Sequence, residues 1–182
     1  DGGLNLAFEA VDRHLEEGDA VVLLGDTLDE LSGSSWADTI HGHLGGMPPT
    51  PNLAAEKALA QVLVGASRRR LLSSAHDLSD GGLAQALVES CLRRGRGVSL
   101  TLPDGDPTVA LFSESPARAL VSLPASHWKE FAELCAEHGV PMARLGEVVA
   151  DPVIEVHGLF TLPLDVVHER WRAPIREAMT AH

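Results

Sequence analysis

The chain has 182 residues, of which 45% are hydrophobic and 22% charged, and its formal net charge is −12. A chain of this size buries roughly two-thirds of its unfolded surface, so we expect one domain with its own core. The negative charge argues against nucleic acid or an anionic membrane surface as the main partner. No stretch approaches the ~18 apolar residues of a membrane span and no basic-then-apolar leader opens the chain, so a cytoplasmic location is expected.

The beginning of the chain differs in character from the rest. Asp1-Gly2-Gly3 lacks an initiator Met, so we expect a piece of a longer protein or a processed end. Residues 1–18 are assigned to an N-terminal arm or linker, and residues 19–182 to the domain itself.

The first predicted elements of the domain are a strand, a loop and a helix. Residues 20–24 form an apolar run closed by Gly-Asp, which is typical of a buried strand leading to a turn. Residues 31–52 are rich in Gly, Ser and Pro and indicate an ordered loop around a short helix near Trp36. Apolar spacing predicts a helix over residues 53–66, with Asn52 as its N-cap.

The middle of the chain alternates between strand and helix patterns. Residues 71–75 are the next strand candidate, and the apolar stripe over residues 82–94 predicts an amphipathic helix that Gly95 ends. Residues 97–102 alternate between apolar and polar side chains and therefore predict a strand, with a Pro-Asp-Gly turn at residues 103–105.

The last third of the chain continues this alternation. Ser126 is predicted to cap a helix that ends at His138-Gly139. Further strands are predicted over residues 119–123, 143–149 and 153–156. A final helix is predicted over residues 163–178, and its apolar side chains recur at fourfold spacing: Val167, Trp171, Ile175 and Met179. We therefore expect an α/β (α+β) sandwich, in which a mixed β-sheet is layered with α-helices.

Cysteines and histidines give little sign of chemistry. Cys91 and Cys135 lie on apolar helix faces and are predicted to be buried free thiols. His41 and His43 have the spacing of a metal pair on a strand, but no Cys or third His follows at zinc-like spacing. His76 beside Asp77 could act as a base, although nothing nearby supplies a nucleophile with an orienting group.

The most informative segment runs from His76 to Leu83, between a predicted strand and a predicted helix. It contains Asp77, Ser79 and Asp80, followed by two glycines. A helix N-terminus attracts phosphate groups, and carboxylates beside it can hold Mg²⁺. The alternative is structural, with Ser79 or Asp80 capping the helix while the glycines allow the turn. The spacing matches neither a Walker loop nor a dinucleotide fingerprint.

Two further polar segments carry the same ambiguity. Glu114 lies between Ser113 and Ser115, just before a predicted strand. It could bind sugar hydroxyls or a metal ion, or the three residues could form local turn hydrogen bonds. Gly33-Ser34-Ser35 could form an anion-binding nest, and a helix-capping turn explains it equally well.

Together these segments resemble one enzyme family in order and spacing. The matching stretches are Gly25-Asp26-Thr27 with Leu31 to Trp36, His43 to Gly46 with Pro48-Pro49, His76 to Leu83, and Leu111 to Ser115 with Arg118 to Val121. They resemble phosphoribosylformylglycinamidine synthase, in the superfamily that includes aminoimidazole ribonucleotide synthase. The latter enzymes carry TGGGL where this chain has Ser79-Asp80-Gly81-Gly82-Leu83, which favours the former.

The resemblance implies a lobe of a larger enzyme. That enzyme has two tandem copies of a two-lobed unit, and this chain is similar to the C-terminal lobe of the second copy. The implied fold is a mixed sheet with helices, like the aminoimidazole ribonucleotide synthase C-terminal domain and partly ferredoxin-like. The implied reaction is a ligation: ATP activates the amide of formylglycinamide ribonucleotide, and glutamine-derived ammonia displaces phosphate to give the amidine.

The resemblance also implies roles for individual residues. Asp77 would contact Mg²⁺, and Ser79 with Gly81 and Gly82 would hold an auxiliary ATP or ADP. Ser113, Glu114 and Ser115 would form a pseudo-symmetric counterpart of the substrate site. No catalytic residue is implied, because the family's catalytic His and main ATP site lie in an N-terminal part that this sequence does not contain. The alternative is a vestigial pseudo-site in a structural lobe.

The implied partners follow from the same likeness. They are the remaining lobes of the synthase, a glutaminase subunit and a small bridging subunit, with no nucleic acid and no membrane. The lobe alone is expected to be inactive, and an apolar patch left by a missing lobe would favour a homodimer. The competing hypothesis is a stand-alone nucleotide-binding or regulatory module of the same superfamily.

Overall fold

A seven-stranded mixed sheet forms the centre of the molecule in the computed structural model, which describes residues 16–180. The strands are β1 (Ala20–Leu24), β2 (Ser74–Asp77), β3 (Gly97–Leu100), β4 (Ala119–Leu123), β5 (Met142–Val149), β6 (Val153–Val156) and β7 (Phe160–Pro163). Their order across the sheet is β2-β4-β1-β5-β3-β6-β7. β3 and β6 pair in parallel, and all other neighbours are antiparallel.

Six α-helices accompany the sheet in the described residues. They are α1 (Ser35–His41), α2 (Leu53–Arg68), α3 (Gly82–Arg94), α4 (Pro107–Phe112), α5 (Trp128–His138) and α6 (Leu164–Thr180). Asn52 caps α2, because its side chain accepts a hydrogen bond from the amide of Ala55 at 3.1 Å. Gly95 ends α3 in the left-handed conformation. None of these helices is both long and apolar enough to cross a bilayer.

The sheet divides the core into two halves, and its interior strand β1 contributes to both. The five residues of β1 are all buried, and successive side chains point to opposite faces of the sheet. Val22 and Leu24 pack with α2 and α5 on one face, whereas Val21 and Leu23 pack with α3 on the other. The predicted mixed sheet layered with helices is therefore confirmed, and the structure has helices on both faces.

Several predicted elements are confirmed closely. The strands over residues 20–24, 119–123 and 153–156 and the helix over residues 82–94 have the predicted bounds. Cys91 and Cys135 are buried free thiols, and burial raises the pKa of Cys91 to about 12 and that of Cys135 to about 11. The predicted arm over residues 1–18 lies mostly outside the described residues, so the boundary at residue 19 stays a prediction.

Other predictions are wrong in detail. The strand placed at residues 71–75 is found at Ser74–Asp77, because Leu71 belongs to the end of α2: its amide bonds to the carbonyl of Ala66 in a Schellman motif, with Arg70 left-handed. Ser126 does not cap α5, since it lies in a 3₁₀ turn that precedes the helix. The short elements α4 and β7 were not anticipated.

Candidate functional site

The segment from His76 to Leu83 forms a tight connection from β2 to α3. The amide of Leu78 donates to the carbonyl of Arg118, and the amide of Gly82 donates to the carbonyl of Ser79. Gly81 and Gly82 both have positive φ, 78° and 61°, a conformation that other residues adopt only at a cost. The chain can therefore turn sharply into α3, with the amide of Gly82 bonded inside the turn.

Gly82 also allows another segment of the chain to approach closely. A Cβ atom at this position would lie 2.5 Å from the carbonyl oxygen of Ser113 and 2.9 Å from that of Leu111. Neither oxygen can move without its backbone. The glycine pair thus brings together two of the polar segments singled out in the sequence.

The carboxylate of Glu114 joins two helix N-termini. Its Oε1 accepts a hydrogen bond from the amide of Gly81 at 2.7 Å and another from the amide of Ser35 at 2.8 Å. Gly81 is the N-cap of α3 and Ser35 is the first residue of α1. A negative charge is favourable at both positions, because each helix dipole is positive at its N-terminus.

These contacts decide two of the open alternatives. α3 has no side-chain cap of its own, so neither Ser79 nor Asp80 caps it, and that expectation is wrong. The stretch Gly33-Ser34-Ser35 is a helix-capping turn, because the hydroxyl of Ser34 accepts a hydrogen bond from the amide of Ala37 at 3.1 Å.

The serines on either side of Glu114 are buried and bonded within the protein. The hydroxyl of Ser113 donates to the carbonyl of Leu28 at 2.6 Å and accepts from the amide of Glu30 at 3.2 Å. The hydroxyl of Ser115 accepts from the amide of Leu28 at 3.0 Å. A ligand would reach these hydroxyls only if the loop that carries Leu28 moved, so the substrate-binding role of this segment stays a prediction.

Arg118 is a buried cation that fixes the same segment, and the sequence analysis assigns it no role beyond membership of a motif. Its guanidinium donates to the carbonyls of Ser113 and Ser115 and, at 3.0 Å, to the hydroxyl of Thr27. Burial lowers the pKa of Arg118 to about 10, against the opposing effect of Glu30 and Glu114, so it is charged at neutral pH. In the sequence, only the position of Arg118 directly before β4, a fully buried strand, indicated that its charge would be buried.

A polar pocket of about 430 Å³ opens beside the turn. It is lined by Ser35, His76, Asp77, Ser79, Asp80, Gly81, Gly82, Gln85, Ala86 and Glu89. The side chain of Asp77 is 67% exposed. His76 is engaged with Glu89, its Nε2 lying 2.8 Å from Oε2, and Gln85 donates to the other oxygen of Glu89 at 2.9 Å.

The electrostatics of this pocket favour a cation. Three carboxylates line it and no Lys or Arg does, and the amide of Gly81 already serves Glu114. In the described residues no group of three or more His, Cys, Asp and Glu side chains could hold a metal ion, which applies equally to His41 and His43. A Mg²⁺ ion here would have Asp77 as its single protein ligand and would need waters and phosphate oxygens to complete the shell, so the metal role of Asp77 stays a prediction.

An apolar cleft of about 450 Å³ adjoins the polar pocket. The two share Ser35, Gly81 and Gln85 in their linings. Trp36 and Phe112 stack in the cleft wall, with ring centroids 6.3 Å apart, and strands β6 and β7 contribute further apolar side chains.

With this geometry in place, comparison with known proteins gives a family. The model of the AIR synthase related protein, C-terminal domain, matches residues 16–158. The chain belongs to this AIR synthase related C-terminal domain family. The match includes the turn, Glu114 and Arg118, and it stops before α6.

Curated relatives of the AIR synthase related domain are much longer than this chain. The phosphoribosylformylglycinamidine synthase subunit PurL of Cutibacterium acnes is 66% identical over 164 residues, which is 90% of this chain and 22% of the relative. The subunit of the same name from a Parafrankia species is 56% identical over 154 residues, 82% of this chain and 20% of the relative. The chain thus spans about a fifth of their length.

Solved structures confirm the fold of the domain. PurL of Thermotoga maritima complexed with FGAR superposes with a TM-score of 0.72 at 20% identity, covering 86% of this chain and 29% of that one. Two other structures from that organism, PurLQS and PurL complexed with ATP, give TM-scores of 0.68 and 0.66 at 20% identity, over 86% of this chain and 27% and 26% of theirs.

Proposed function

We propose that this chain is the C-terminal domain of a phosphoribosylformylglycinamidine synthase. The identity of 66% to the PurL subunit of C. acnes over 90% of the chain supports this assignment. The whole enzyme would act in purine biosynthesis in the cytoplasm as a carbon–nitrogen ligase that converts formylglycinamide ribonucleotide, ammonia from glutamine and ATP to the amidine. Its partners would be the other lobes, a glutaminase subunit and a small bridging subunit, in line with the PurLQS structure.

Within that enzyme we propose a magnesium-nucleotide role for the polar pocket. The observation that carries this proposal is the exposed carboxylate of Asp77, at the end of β2 and in the same pocket as Ser79, Gly81 and Gly82. Asp77 would supply one oxygen ligand to Mg²⁺. The hydroxyl of Ser79 would face the phosphates of ATP or ADP, and Gly81 and Gly82 would line their approach without donating, because their amides already bond to Glu114 and to the carbonyl of Ser79. The ion would offset the repulsion between these phosphates and the carboxylates of the pocket.

A second candidate is a purely structural lobe, and the bond from Gly81 to Glu114 favours it. The internal carboxylate occupies an amide that a phosphate would otherwise use at the start of α3. On this reading the turn is stabilised by Glu114, and Ser113 and Ser115 anchor the neighbouring loop. Neither reading gives this chain a catalytic residue, so we expect no ligase activity from the chain alone.

Calorimetric titration of the chain with ATP and ADP, with and without Mg²⁺, separates the two candidates. The nucleotide role predicts binding that needs Mg²⁺ and is lost in Asp77→Asn, which keeps the side-chain shape and removes the charge. Asp104→Asn, in an exposed turn away from the pocket, is the matched control and should bind like the parent chain. Failure of the parent chain to bind, with a cooperative unfolding transition proving that it is folded, would leave the structural role.

A further inference from the structure

A small cavity lies between α3 and the sheet. It has a volume of about 20 Å³ and shares no lining residue with the polar pocket. Most of its wall is apolar and belongs to the core half beneath α3, with Leu87 on the helix and Val98 and Leu120 on the sheet. About 10–15 Å³ is enough to hold one water molecule, so this cavity has room for a single one.

Two serine hydroxyls form a polar part of the wall. Ser74 of β2 lies directly opposite Ser122 of β4, and Ser122 lies opposite Val21 of β1. Residues paired in this way point to the same face of a sheet, and Val21 packs in the core half beneath α3. Both hydroxyls are therefore on the α3 side, and both serines line the cavity. Ser122 is 3% exposed and Ser74 is partly buried.

The hydrogen bonds of this serine pair are incomplete within the protein. The two Oγ atoms are 2.7 Å apart, so one hydroxyl donates to the other. Each hydroxyl carries one proton, so the pair has a second proton that this bond does not use. No group in the described part of the chain accepts that proton. Buried hydroxyls nearly always have a partner in the protein or in ordered water, because an unpaired one loses its hydration without compensation.

We propose that this cavity binds one ordered water molecule, which accepts the second proton of the Ser74–Ser122 pair. A buried water typically makes about three hydrogen bonds. The remaining lone pairs of the two serine oxygens offer an acceptor for one of its protons. Ser90 and Cys91 of α3 also line the cavity, so the helix offers a hydroxyl and a thiol for the third bond. The water would thereby join β2 and β4 to α3.

The site bears on strand β2, which lies at the edge of the described sheet with β4 as its only neighbouring strand. Ser74 is the first residue of β2 and Asp77 is the last. The water would give this short strand a link to α3 in addition to its pairing with β4. It would therefore help to hold the strand that carries Asp77, and it would be bound whether or not the polar pocket takes a nucleotide.

Other occupants fit the cavity less well. Its volume excludes an organic molecule, and none of the described residues in its wall has a carboxylate to hold a cation. The partly exposed Arg96 is the only charged side chain among those residues, so the competing occupant is a small anion such as chloride. The mostly apolar wall opposes a bare anion, because burying a charge without a full set of partners is costly. A neutral water needs no such compensation.

A crystal structure of the full 182-residue chain, at a resolution that shows ordered waters, tests the site directly. We expect one density peak in the cavity, at about 2.5–3.0 Å from Oγ of Ser74 or Ser122. In a Ser74→Ala, Ser122→Ala double variant the peak should be lost, because the hydroxyls that hold the water are gone. Ser73→Ala is the matched control: this buried neighbouring serine does not line the cavity, so the peak should remain. A cavity without density in the parent chain, or a peak that persists in the double variant, would overturn the proposal.

Bromide distinguishes a water from an anion in the same crystals. After a bromide soak, the cavity of the parent chain should show no anomalous signal, and its peak should keep the height of a water oxygen. An anomalous peak beside Ser74 and Ser122 would identify an anion site and refute the water. The parent crystals alone decide both questions, so the test holds even if the double variant does not fold.

Discussion

Replacing Gly82 by Ala tests how closely the turn approaches the segment that carries Glu114. The change has two costs, because φ is 61° and because the new Cβ would lie 2.5 Å from the carbonyl oxygen of Ser113. The left-handed conformation costs a non-glycine residue about 1–2 kcal/mol. Relieving the overlap requires a backbone shift that we place at about 1–3 kcal/mol, as for an overpacked core. We therefore expect the free energy of unfolding to fall by about 2–5 kcal/mol in total.

Gly95→Ala at the other end of α3 is the control for the first cost alone. Its φ is 64°, and nothing lies within 4 Å of the position of its Cβ. The two variants should thus differ by about 1–3 kcal/mol in urea unfolding, or about 2–12 °C in the thermal midpoint of a domain of this size. An equal fall in the free energy of unfolding for Gly82→Ala and Gly95→Ala would refute the close approach of Gly82 to the carbonyl of Ser113. It would also refute our account of why the motif has two glycines.

Three further predictions concern the charges and thiols. Arg118→Met leaves two buried main-chain carbonyls without their donor and removes a buried charge. The free energy of unfolding, measured in urea, should therefore fall by about 3–5 kcal/mol. A fall below about 1 kcal/mol would contradict the hydrogen bonds assigned to Arg118. Glu114→Gln keeps a hydrogen-bond acceptor but removes the negative charge at two helix N-termini. It should lower the free energy of unfolding by about 1–2 kcal/mol and speed hydrogen exchange at the amide of Gly81. Unchanged hydrogen exchange at this amide would contradict its bond to Glu114. Burial raises the pKa of Cys91 to about 12 and of Cys135 to about 11 from 9.0, so the thiols contribute stability that is complete below pH 9 and lost as the pH rises towards 11–12. The unfolding free energy should therefore fall between pH 9 and 10.5, and a Cys91→Ala, Cys135→Ala double variant should show a smaller fall.

The elements that the sequence predicts well are those with a strong local signal. β1 is a continuous apolar run, and α3 has an apolar stripe that ends at a glycine. Both signals arise from neighbouring residues, so they hold without knowledge of the rest of the chain. The strand predicted at residues 71–75 failed for the opposite reason: the main-chain amide of Leu71 closes the end of α2, and a run of apolar residues does not show to which neighbouring element it belongs.

The contacts that organise the site could not be predicted in the same way. Glu114 bonds to amides at residues 35 and 81, and Arg118 reaches Thr27, so each of these three partners lies more than 30 positions away in the chain. A carboxylate between two serines has many local uses, and only the tertiary structure shows that this one caps two helices. The resemblance includes these residues in its motifs but states no contact between them, and their binding roles stay predictions.

The position of Glu114 also bears on what the pocket can bind. Phosphate sites at helix N-termini normally use uncommitted amides and a positive field. Here one such amide is committed to an internal carboxylate, and the pocket beyond it contains Asp77, Asp80 and Glu89 with no Lys or Arg. A free phosphate would meet repulsion from all four groups, whereas a phosphate that arrives with Mg²⁺ brings its own positive charge and finds an exposed ligand in Asp77. We therefore expect any nucleotide binding at this site to depend on the metal ion.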